Sequence, residues 1–495
     1  MESNLNILPR QRLLRGTLFR LLLLLVFLLL AAGMSACSQN EFGPPEGASP
    51  TPEPTEEAVG THTPAPPTGS SVTPTAVPTS SLAVSAEELQ GLKLEFWHFL
   101  PDDQITPLMR AFNQDNPWGI TVTARRFFDA NQLNDAVLDP DADPARPAPI
   151  VLGYPEQLRA WAAEGQLIDL AVYSNDPEWG LADEAIKAFV PVFWAQDLSG
   201  EMRLGVPARR DANFLLYNQT WADELNYRLP PDRPERFKAQ SCAANAAMKQ
   251  DREVQNDAYG GWLVNTSPET MLAWIRAFGG QPVRSGAQVY SFDTPQTEAA
   301  FSFLKDLIDS GCAWVSAAQY PDEAFAGRQA LLATASLNDL AFIEQAFEAA
   351  NNTDEWTVFA YPGQERQSVL PVFGSSFALM ADTPARQLAG WLFIRWMLSA
   401  ETQAFWTRLD GQFPVNFNAI DLLSDYASKH PHWAAAWNLL PNAVVEPALA
   451  SWGDVRWALQ DAGTQIFRSY FTPDRIPATL EELDRTAAEL SREAP

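Results

Sequence analysis

Apolar and polar positions alternate between two spacings in the region that follows residue 91. Leu92, Leu94 and Phe96 are separated by two positions, which is the spacing of a strand with one apolar face. Neighbouring segments repeat their apolar residues with the period of a helix. Strands that alternate with helices predict an α/β fold with parallel sheets covered on both faces. The elements predicted from this pattern are strands at 92–97, 120–124 and 148–153 and helices at 105–116 and 155–165.

The same alternation continues toward the carboxyl terminus. Thr383 followed by Pro384, and Ser399 farther on, mark two helix starts, because proline is favoured at the first helical position and hydroxyl residues cap it. Gly374 interrupts an apolar segment, so a break in that strand is expected. The elements predicted here are strands at 204–207, 214–217, 330–335 and 369–380 and helices at 268–279, 294–309 and 337–350, with two more from 384 and from 400 to 411.

Residues 1–36 have the pattern of an export signal. Arginines precede an apolar run from Leu21 to Ala32, which is too short for a membrane-spanning helix of about 20 residues. The string Met34-Ser35-Ala36-Cys37 resembles the bacterial lipoprotein signal, although Met34 stands where leucine is usual. We therefore expect Cys37 to be acylated and to hold the protein on membrane lipid. An ordinary signal peptide with an incidental cysteine is the alternative.

Residues 37–88 form a segment of different composition. Pro, Thr, Ser, Gly and Ala dominate it, and large apolar residues are almost lacking. Such a segment cannot bury enough surface to offset its ordering entropy, so we expect a disordered tether behind Cys37. An O-glycosylated stalk is the alternative. The predicted location is extracytoplasmic, with a lipid anchor on the outer face of the cell membrane.

Charge and cysteine content narrow the function classes. A formal net charge of −27 disfavours nucleic acid and anionic lipid headgroups as partners. The 17 Trp and 28 Phe exceed what a core requires, and ligand stacking is one use for them. Cys242 and Cys312 remain after the leader cysteine. In an oxidising compartment they are expected to form one disulfide, with two buried free thiols as the alternative.

Ligands of parallel α/β sheets bind beyond the carboxyl ends of the strands. Trp97 and His98 end the first predicted strand, the turn at 127–129 follows the second, and Tyr154 follows the third. These positions are therefore the first candidates for ligand contact, although core packing is the alternative for each aromatic residue.

Six strings in the same order resemble the family 1 extracellular solute-binding proteins of ABC importers, most closely the subgroup that binds sugars and glycerol-3-phosphate. The resemblance covers the chain after the tether. The strings include Gly205-Val-Pro207 with Leu216-Tyr-Asn218, Ala330-Leu-Leu-Ala-Thr-Ala-Ser336, Val372-Phe-Gly-Ser-Ser-Phe377, Trp391-Leu-Phe-Ile-Arg-Trp396 with Gly411-Gln-Phe-Pro-Val415, Phe112-Asn-Gln-Asp-Asn-Pro117 and Gly153-Tyr-Pro-Glu-Gln-Leu158.

The resemblance implies a type II periplasmic-binding-protein-like fold, in which a ligand cleft separates two lobes that are discontinuous in sequence. It places the N-terminal lobe at 89–210 plus 320–372 and the C-terminal lobe at 211–319 plus 373–495. The expected role is capture of a sugar or polyol by hinge closure and delivery to ABC permease subunits in the membrane. A monomer without a cofactor, a metal or enzymatic activity is expected.

Site residues follow from the strand ends and from the resemblance. Asp129 lies in a turn where relatives supply a carboxylate, Gly374 permits close approach of the backbone to a ligand, and Leu337 departs from a Ser/Gly-rich turn of the family. The residues assigned to ligand binding are Trp97, His98, Asp129, Tyr154, Arg209, Asp211, Trp262, Ser336, Asn338, Gly374, Ser375 and Ser376.

Arg209, Arg210 and Asp211 replace a more neutral Ser/Thr-rich stretch of the glycerol-3-phosphate subgroup. The two arginines are suited to a phosphate or carboxylate ligand. Pairing with neighbouring acids of this acidic protein is the favoured alternative, so the phosphorylated substrate is not carried over from the subgroup.

An enzyme and a ligand sensor are two alternative function classes for this chain. A surface glycosidase needs two carboxylates that flank the scissile bond, and the many acids here make chance pairs certain. Ser302 and Lys305 match S-x-x-K inside an amphipathic helix without the companion motifs of a serine hydrolase. His430 and His432 lack a third metal ligand nearby. A ligand sensor without transport is the remaining alternative.

Overall fold

A computed structural model describes residues 80–139, 150–284, 286–318 and 320–494. The predicted signal, Cys37 and the tether as far as residue 79 lie outside the described residues. Residues 80–88, predicted as the end of the tether, instead pack on the folded domain, where the Ser80 hydroxyl donates to Asp176 at 2.8 Å and Leu82 and Val84 contact the core. Within the described ranges, no helix combines the length and apolarity that crossing a bilayer requires.

The helices and strands follow one another along most of this part of the chain. The strands are β1 Lys93–His98, β2 Thr121–Arg126, β3 Ile150–Gly153, β4 Leu198–Ser199, β5 Met202–Arg203, β6 Val206–Pro207, β7 Asp211–Asn218, β8 Gly260–Leu263, β9 Val283–Arg284, β10 Val289–Tyr290, β11 Ala313–Trp314, β12 Ala330–Ser336, β13 Trp356–Phe359, β14 Leu370–Phe373, β15 Ser376–Leu379 and β16 Ala443–Val445. The α-helices are α1 Asp102–Asp115, α2 Ala130–Val137, α3 Pro155–Ala163, α4 Ala171–Ser174, α5 Asp183–Lys187, α6 Pro191–Gln196, α7 Gln219–Glu224, α8 Pro234–Gln250, α9 Pro268–Ala277, α10 Pro295–Asp309, α11 Asp322–Ala326, α12 Leu340–Ala349, α13 Pro384–Met397, α14 Ala400–Asp410, α15 Ser424–Lys429, α16 Pro431–Trp437, α17 Trp452–Ile466 and α18 Ile476–Glu493.

The local pattern located fewer than half of these elements, and the long helices α8, α17 and α18 are among those it missed. The strand predicted at 369–380 breaks at Gly374, which has a φ of +151° and separates β14 from β15. Helix α14 begins after Ser399, whose side chain accepts from the Thr402 amide, and ends at Gly411 in the left-handed conformation, φ +72°. The helix predicted at 337–350 begins as a 3₁₀ turn, Leu337–Asp339, before α12.

The first sheet has the order β2-β1-β3-β15-β6. Strands β1, β2 and β3 run parallel, so their carboxyl ends share one edge, while β15 is antiparallel to β3 with Ser376 opposite Gly153. Aromatic packing joins the sheet to helices α1 and α13, because the Phe393 ring lies 5.5 Å from Phe96 and 5.1 Å from Phe112.

The second sheet has the order β11-β8-β12-β7-β14-β16, and β13 also pairs with β7. Its core lies under helices α8, α9 and α17. The buried rings of Phe237, Trp262, Trp274 and Phe467 meet there edge to face, with Trp262 6.0 Å from Trp274 and 6.1 Å from Phe467. A disulfide between Cys242 of α8 and Cys312 fastens this helix beside the edge strand β11.

Strand pairing corrects the predicted lobe boundaries. Strands β12, β13 and β14, predicted for the N-terminal lobe, pair in the second sheet, where β12 is antiparallel to β7 with Leu332 opposite Tyr217. Strand β15, predicted for the C-terminal lobe, pairs in the first sheet. The chain passes from the first sheet to the second at 208–210, back to the first at 374–375, and to the second again between β15 and β16. At Gly374 the chain therefore goes from the second lobe to the first, which is the reverse of the predicted direction.

Candidate ligand-binding cleft

A cavity of about 790 Å³ opens at the shared carboxyl edge of β1, β2 and β3. Phe99 follows β1, Phe128 and Asp129 follow β2, and Tyr154 follows β3, so the parallel strands deliver all four to one wall. The opposite wall comes from helices α17 and α18, which pack against the second sheet's core. The cavity therefore lies between side chains of the two lobes, and its volume is in the range of small-molecule sites.

Aromatic side chains give the cavity apolar faces. Phe99 and Tyr154 lie with ring centroids 5.3 Å apart on the first wall. Trp457 of α17 is 55% exposed on the other wall, and Phe128 is 86% exposed at the rim. Exposed aromatic rings in a concave site are suited to stack against a ligand that presents CH groups.

Polar groups on the first wall are held in place by helix caps. The Asp129 Oδ1 atom accepts from the Gln132 amide at 2.8 Å and begins α2. Gln157 accepts from the Tyr154 amide at 3.0 Å and donates to the Ala130 carbonyl at 2.8 Å. These bonds connect the starts of α2 and α3, so the polar wall is fixed before a ligand enters.

Charged side chains gather where α3 meets α17. Arg456 lines the cavity and donates through Nη2 to Glu269 of α9, while its Nη1 lies 4.0 Å from Glu446. Glu446 also accepts from the Trp452 indole at 3.1 Å. Glu156, in the first turn of α3, faces the same arginine. Burial raises the pKa of Glu156 and of Glu446, and the Arg456 charge opposes that rise.

Two of the predicted site residues, Asp129 and Tyr154, line this cavity. Trp97 does not, because it is buried against Phe127 with the ring centroids 5.1 Å apart. His98 is buried as well, and its Nδ1 accepts from the Leu100 amide at 3.2 Å. Burial lowers the His98 pKa to about 4, so the ring is neutral.

The assignment of Trp262 to ligand binding is wrong. Strand β8 is buried along its whole length, and the Trp262 indole lies in the core of the second sheet with no exposed surface. Its position after two glycines led to the ligand assignment. Those glycines instead allow close backbone packing, since a Cβ on Gly261 would lie 1.9 Å from the Cys312 carbonyl oxygen.

The remaining predicted residues lie near the segments 208–210 and 374–375, where the chain crosses between the sheets. These two segments and their neighbours are called the crossover. Arg209 Nη1 donates to Asp410 Oδ2 at 2.7 Å. This arginine therefore pairs with a neighbouring acid, which was the favoured alternative to a phosphate or carboxylate ligand. A Cβ on Gly374 would lie 2.4 Å from the Arg209 carbonyl oxygen, so glycine here serves close packing of the two crossing segments. Ser375 and Ser376 are buried beside it.

Asp211 is buried in the same crossover and accepts several hydrogen bonds there. Its Oδ1 accepts from the amides of Ala212 and Leu337, and its Oδ2 accepts from the Asn338 side chain at 2.7 Å and from Gln412 at 3.3 Å. Burial raises the pKa of Asp211 to about 7.

Ser336 belongs to the same turn and bonds to Asp339 through its amide and hydroxyl. The 790 Å³ cavity is lined by none of these crossover residues, so the structure gives them a part in connecting the lobes.

Sequence reasoning missed Phe99, Glu156, Arg456 and Trp457. Phe99 and Glu156 directly follow the strand ends that were singled out. On α17, Gly453, Arg456 and Trp457 have the i, i+3, i+4 spacing of one helix face. That spacing was a usable signal, but only tertiary packing shows that the face meets α3.

The fold and the cleft define a two-lobed ligand-binding protein. Residues 108–439 match the model of the bacterial extracellular solute-binding protein family, and the chain belongs to that family. The family resemblance and the predicted two-lobed α/β fold are thereby confirmed. Membership also places the protein outside the cytoplasm.

Solved structures share this fold at low identity. MalE from Xanthomonas citri, described as a sugar-binding protein, is 17% identical with a TM-score of 0.68 over 81% of this chain and 98% of that chain. The cyclic α-maltosyl-1,6-maltose binding protein of Arthrobacter globiformis is 17% identical with a TM-score of 0.66 over 81% and 99%. UgpB from Mycobacterium tuberculosis, solved with glycerophosphocholine, is 17% identical with a TM-score of 0.62 over 80% and 98%. No curated protein sequence is significantly similar to the chain.

Proposed function

We propose that this protein is the substrate-binding component of an ABC importer and that it captures a sugar or polyol in the cleft between Tyr154 and Trp457. The observation that carries the proposal is a cavity of about 790 Å³ whose two walls offer both aromatic faces and hydrogen-bonding groups. Sugars need that combination, because they present CH faces to rings and hydroxyls to polar side chains.

The fold neighbours support the substrate class. MalE from Xanthomonas citri and the cyclic maltosyl-maltose binding protein of Arthrobacter globiformis are described as binding sugars. The identity of 17% carries the fold alone, so the chemistry of the cleft must supply the argument for this chain.

The interactions available in the cleft are sufficient for useful affinity. A micromolar dissociation constant requires about 8 kcal/mol. Aromatic stacking on Tyr154 and Trp457 contributes roughly 0.5–1.5 kcal/mol per ring beyond the buried area. Hydrogen bonds to groups such as Asp129 and Arg456 contribute roughly 0.5–3 kcal/mol each, the upper values where a charged group takes part. Several such contacts together reach the required free energy.

Delivery follows from the position of the site between lobes. A ligand that contacts both walls stabilises the closed arrangement through its differential affinity for that state. The crossings at 208–210 and 374–375 are where the backbone rotates as the walls approach. The closed form then docks on permease subunits in the membrane.

We also propose that Cys37 is acylated and that residues 37–79 tether the domain near the outer face of the cell membrane as a monomer. Two or more acyl chains give stable attachment, where a single chain gives only marginal binding. The tether lets the domain reach ligand and permease while it stays at the surface.

A thermal-shift screen tests the proposal. The purified protein is heated with mono- and oligosaccharides, polyols, sugar phosphates and glycerol-3-phosphate, and the ligand is recovered afterwards for chromatography. A ligand at 100 times its dissociation constant stabilises the folded state by about 2.7 kcal/mol. We expect stabilisation by a saccharide or polyol that is recovered unchanged. A saccharide recovered as cleaved product indicates an enzyme, and no stabilisation by any compound contradicts the proposed substrate class.

A further inference from the structure

The cleft carries an excess of negative charge. Its lining contains the carboxylates of Asp129, Glu156, Asp454 and Glu493 and a single guanidinium, that of Arg456. The acids come from both walls, so a ligand between the walls is exposed to carboxylates on two sides. An anionic ligand would meet repulsion there, and a cationic ligand would meet attraction.

The guanidinium in the lining is already engaged. Arg456 donates to Glu269 behind the cavity wall and lies 4.0 Å from Glu446. Both carboxylates are buried, with 8% of each residue exposed. Arg456 therefore balances two acids behind the cavity wall as well as Glu156 in the lining, and it has little positive charge left to offer an anionic ligand.

Glu156 is the carboxylate placed to meet a ligand cation. It is 6% exposed, lies in the first turn of α3 and lines the cavity. Its carboxylate accepts a hydrogen bond from its own backbone amide. One neutral donor offsets only part of the cost of burying a carboxylate, and a charged donor from the ligand reduces that cost further.

The packing around Glu156 leaves room on the cavity side. Gly453 lies in the first turn of the facing helix α17, and a Cβ there would lie 3.9 Å from the Glu156 Cγ atom, an ordinary van der Waals contact. A side chain longer than that of alanine would occupy the space between the two walls. The aromatic rings of Phe99 and Tyr154 stand on the same wall, and their faces also favour a cation.

We propose that the ligand is an amine-bearing saccharide or polyol whose ammonium group donates to Glu156. This inference rests on the proposed function and narrows its substrate class. The sugar hydroxyls and ring face bind Asp129, Tyr154 and Trp457, while the ammonium group supplies a charged donor to Glu156. Sugar phosphates are excluded by the same carboxylates.

Proton linkage follows from the surroundings of Glu156. Arg456 and Asp454 face it from α17, Glu446 and Glu269 from the second lobe, and the phenols of Tyr154 and Tyr290 lie nearby. Burial raises the pKa of Glu156, and an ammonium ligand favours its ionised form. Binding of the amine is therefore linked to release of a proton from Glu156, and the affinity for the amine rises with pH through the range in which Glu156 titrates.

Isothermal titration with matched pairs tests the inference. The pairs are glucosamine with glucose, galactosamine with galactose, and glucamine with sorbitol, with N-acetylglucosamine and glucose 6-phosphate as further probes. We expect at least one amine to bind about tenfold or more tightly than its hydroxyl partner, because a charged hydrogen bond to a carboxylate exceeds a neutral one. N-acetylation should remove the preference.

Four outcomes separate the inference from the proposed function. Neutral sugars that bind as well as their amines overturn the inference and leave the proposed function standing, as does tightest binding of glucose 6-phosphate. Failure of every compound to bind overturns both. A tenfold preference for an amine, with protons released in buffers of different ionisation enthalpy, supports both.

Two variants test whether the preference for an amine over its hydroxyl partner depends on Glu156. Glu156→Gln should reduce the amine-to-hydroxyl affinity ratio to near one. Glu164→Gln makes the same charge change at the exposed end of α3, outside the cavity, and should keep the ratio. Melting temperatures of both variants show whether each is folded. An unchanged ratio in folded Glu156→Gln would overturn the role of this carboxylate.

Discussion

Replacement of Arg210 by methionine tests how the two lobes are joined. The Arg210 side chain is fully buried at the crossover, where its Nη1 donates to the carbonyls of Arg209 and Ser375 at 2.9 and 2.6 Å. Its Nη2 donates to Gln196 at 3.2 Å and to the Ser376 hydroxyl at 3.1 Å, and lies 3.9 Å from Asp197. The guanidinium thus binds both crossing segments and the first lobe at once.

The expected loss of stability in Arg210→Met follows from the carboxylate charge of Asp197, which stays buried. Methionine keeps much of the volume but removes the guanidinium with the largest effect on the buried Asp197 carboxylate, and removal of one partner of a buried pair costs about 3–5 kcal/mol. With roughly 400 ordered residues and an unfolding entropy of about 2.1 cal/mol/K per residue, a loss of about 4 kcal/mol lowers the melting temperature by about 5 °C. Burial raises the pKa of Asp197, so protonation at low pH reduces the loss.

Calorimetry at pH 7 and pH 5 measures the effect. Arg110→Met is the matched control, because Arg110 is exposed on α1 and its replacement should change stability by less than about 0.5 kcal/mol. The double variant Arg210→Met/Asp197→Asn removes the uncompensated charge and should recover part of the loss. A destabilisation by Arg210→Met below about 1 kcal/mol would refute the assignment of Arg210 as the buried connector of the lobes.

Three further predictions concern stability and location. Burial raises the pKa of Asp211 to about 7, so the folded protein holds a proton that the unfolded chain releases near pH 4, and the free energy of unfolding falls as pH rises between these values. Asp211→Asn should make the denaturation midpoints at pH 4.5 and 7.5 more nearly equal. A difference between the two midpoints as large as that of the wild type would contradict this prediction. The double variant Cys242→Ser/Cys312→Ser opens a loop with a sequence separation of 70 and should lose about 4 kcal/mol in urea denaturation, whereas a loss near zero would refute the loop-closure estimate. Cys37→Ser should move the protein from the membrane to the soluble fraction and abolish labelling by a fatty-acid analogue, and continued membrane retention would contradict acylation at this cysteine.

Local sequence pattern predicted the elements better than their pairing. The two-residue spacing of Leu92, Leu94 and Phe96 and the glycine at 374 are local signals, and the strands follow them. The pairing of β12 with β7 depends on contacts between distant segments, which neighbouring residues do not encode. For that reason the lobe boundary at Gly374 was predicted in the wrong sense.

The candidate site shows the same limit. Tyr154 and Asp129 were found because residues after parallel strands converge on one edge, a rule that needs only the order of elements. Trp97 was assigned by the same rule and Trp262 by its position after two glycines, yet both rings are buried in the cores. The pairing of Glu156 with the α17 face depends on how the C-terminal helices dock, so sequence alone did not reveal it.

The most direct test of the account is an isothermal titration of the saccharide that stabilises the protein most, with wild type, Trp457→Ala and Tyr470→Ala. Trp457 is 55% exposed within the cleft, and Tyr470 is 66% exposed and does not line it. We expect one binding site, a loss of about tenfold in Trp457→Ala because a stacking aromatic is removed, and a change below about twofold in Tyr470→Ala. Equal affinity of Trp457→Ala and wild type would contradict ligand binding in this cleft.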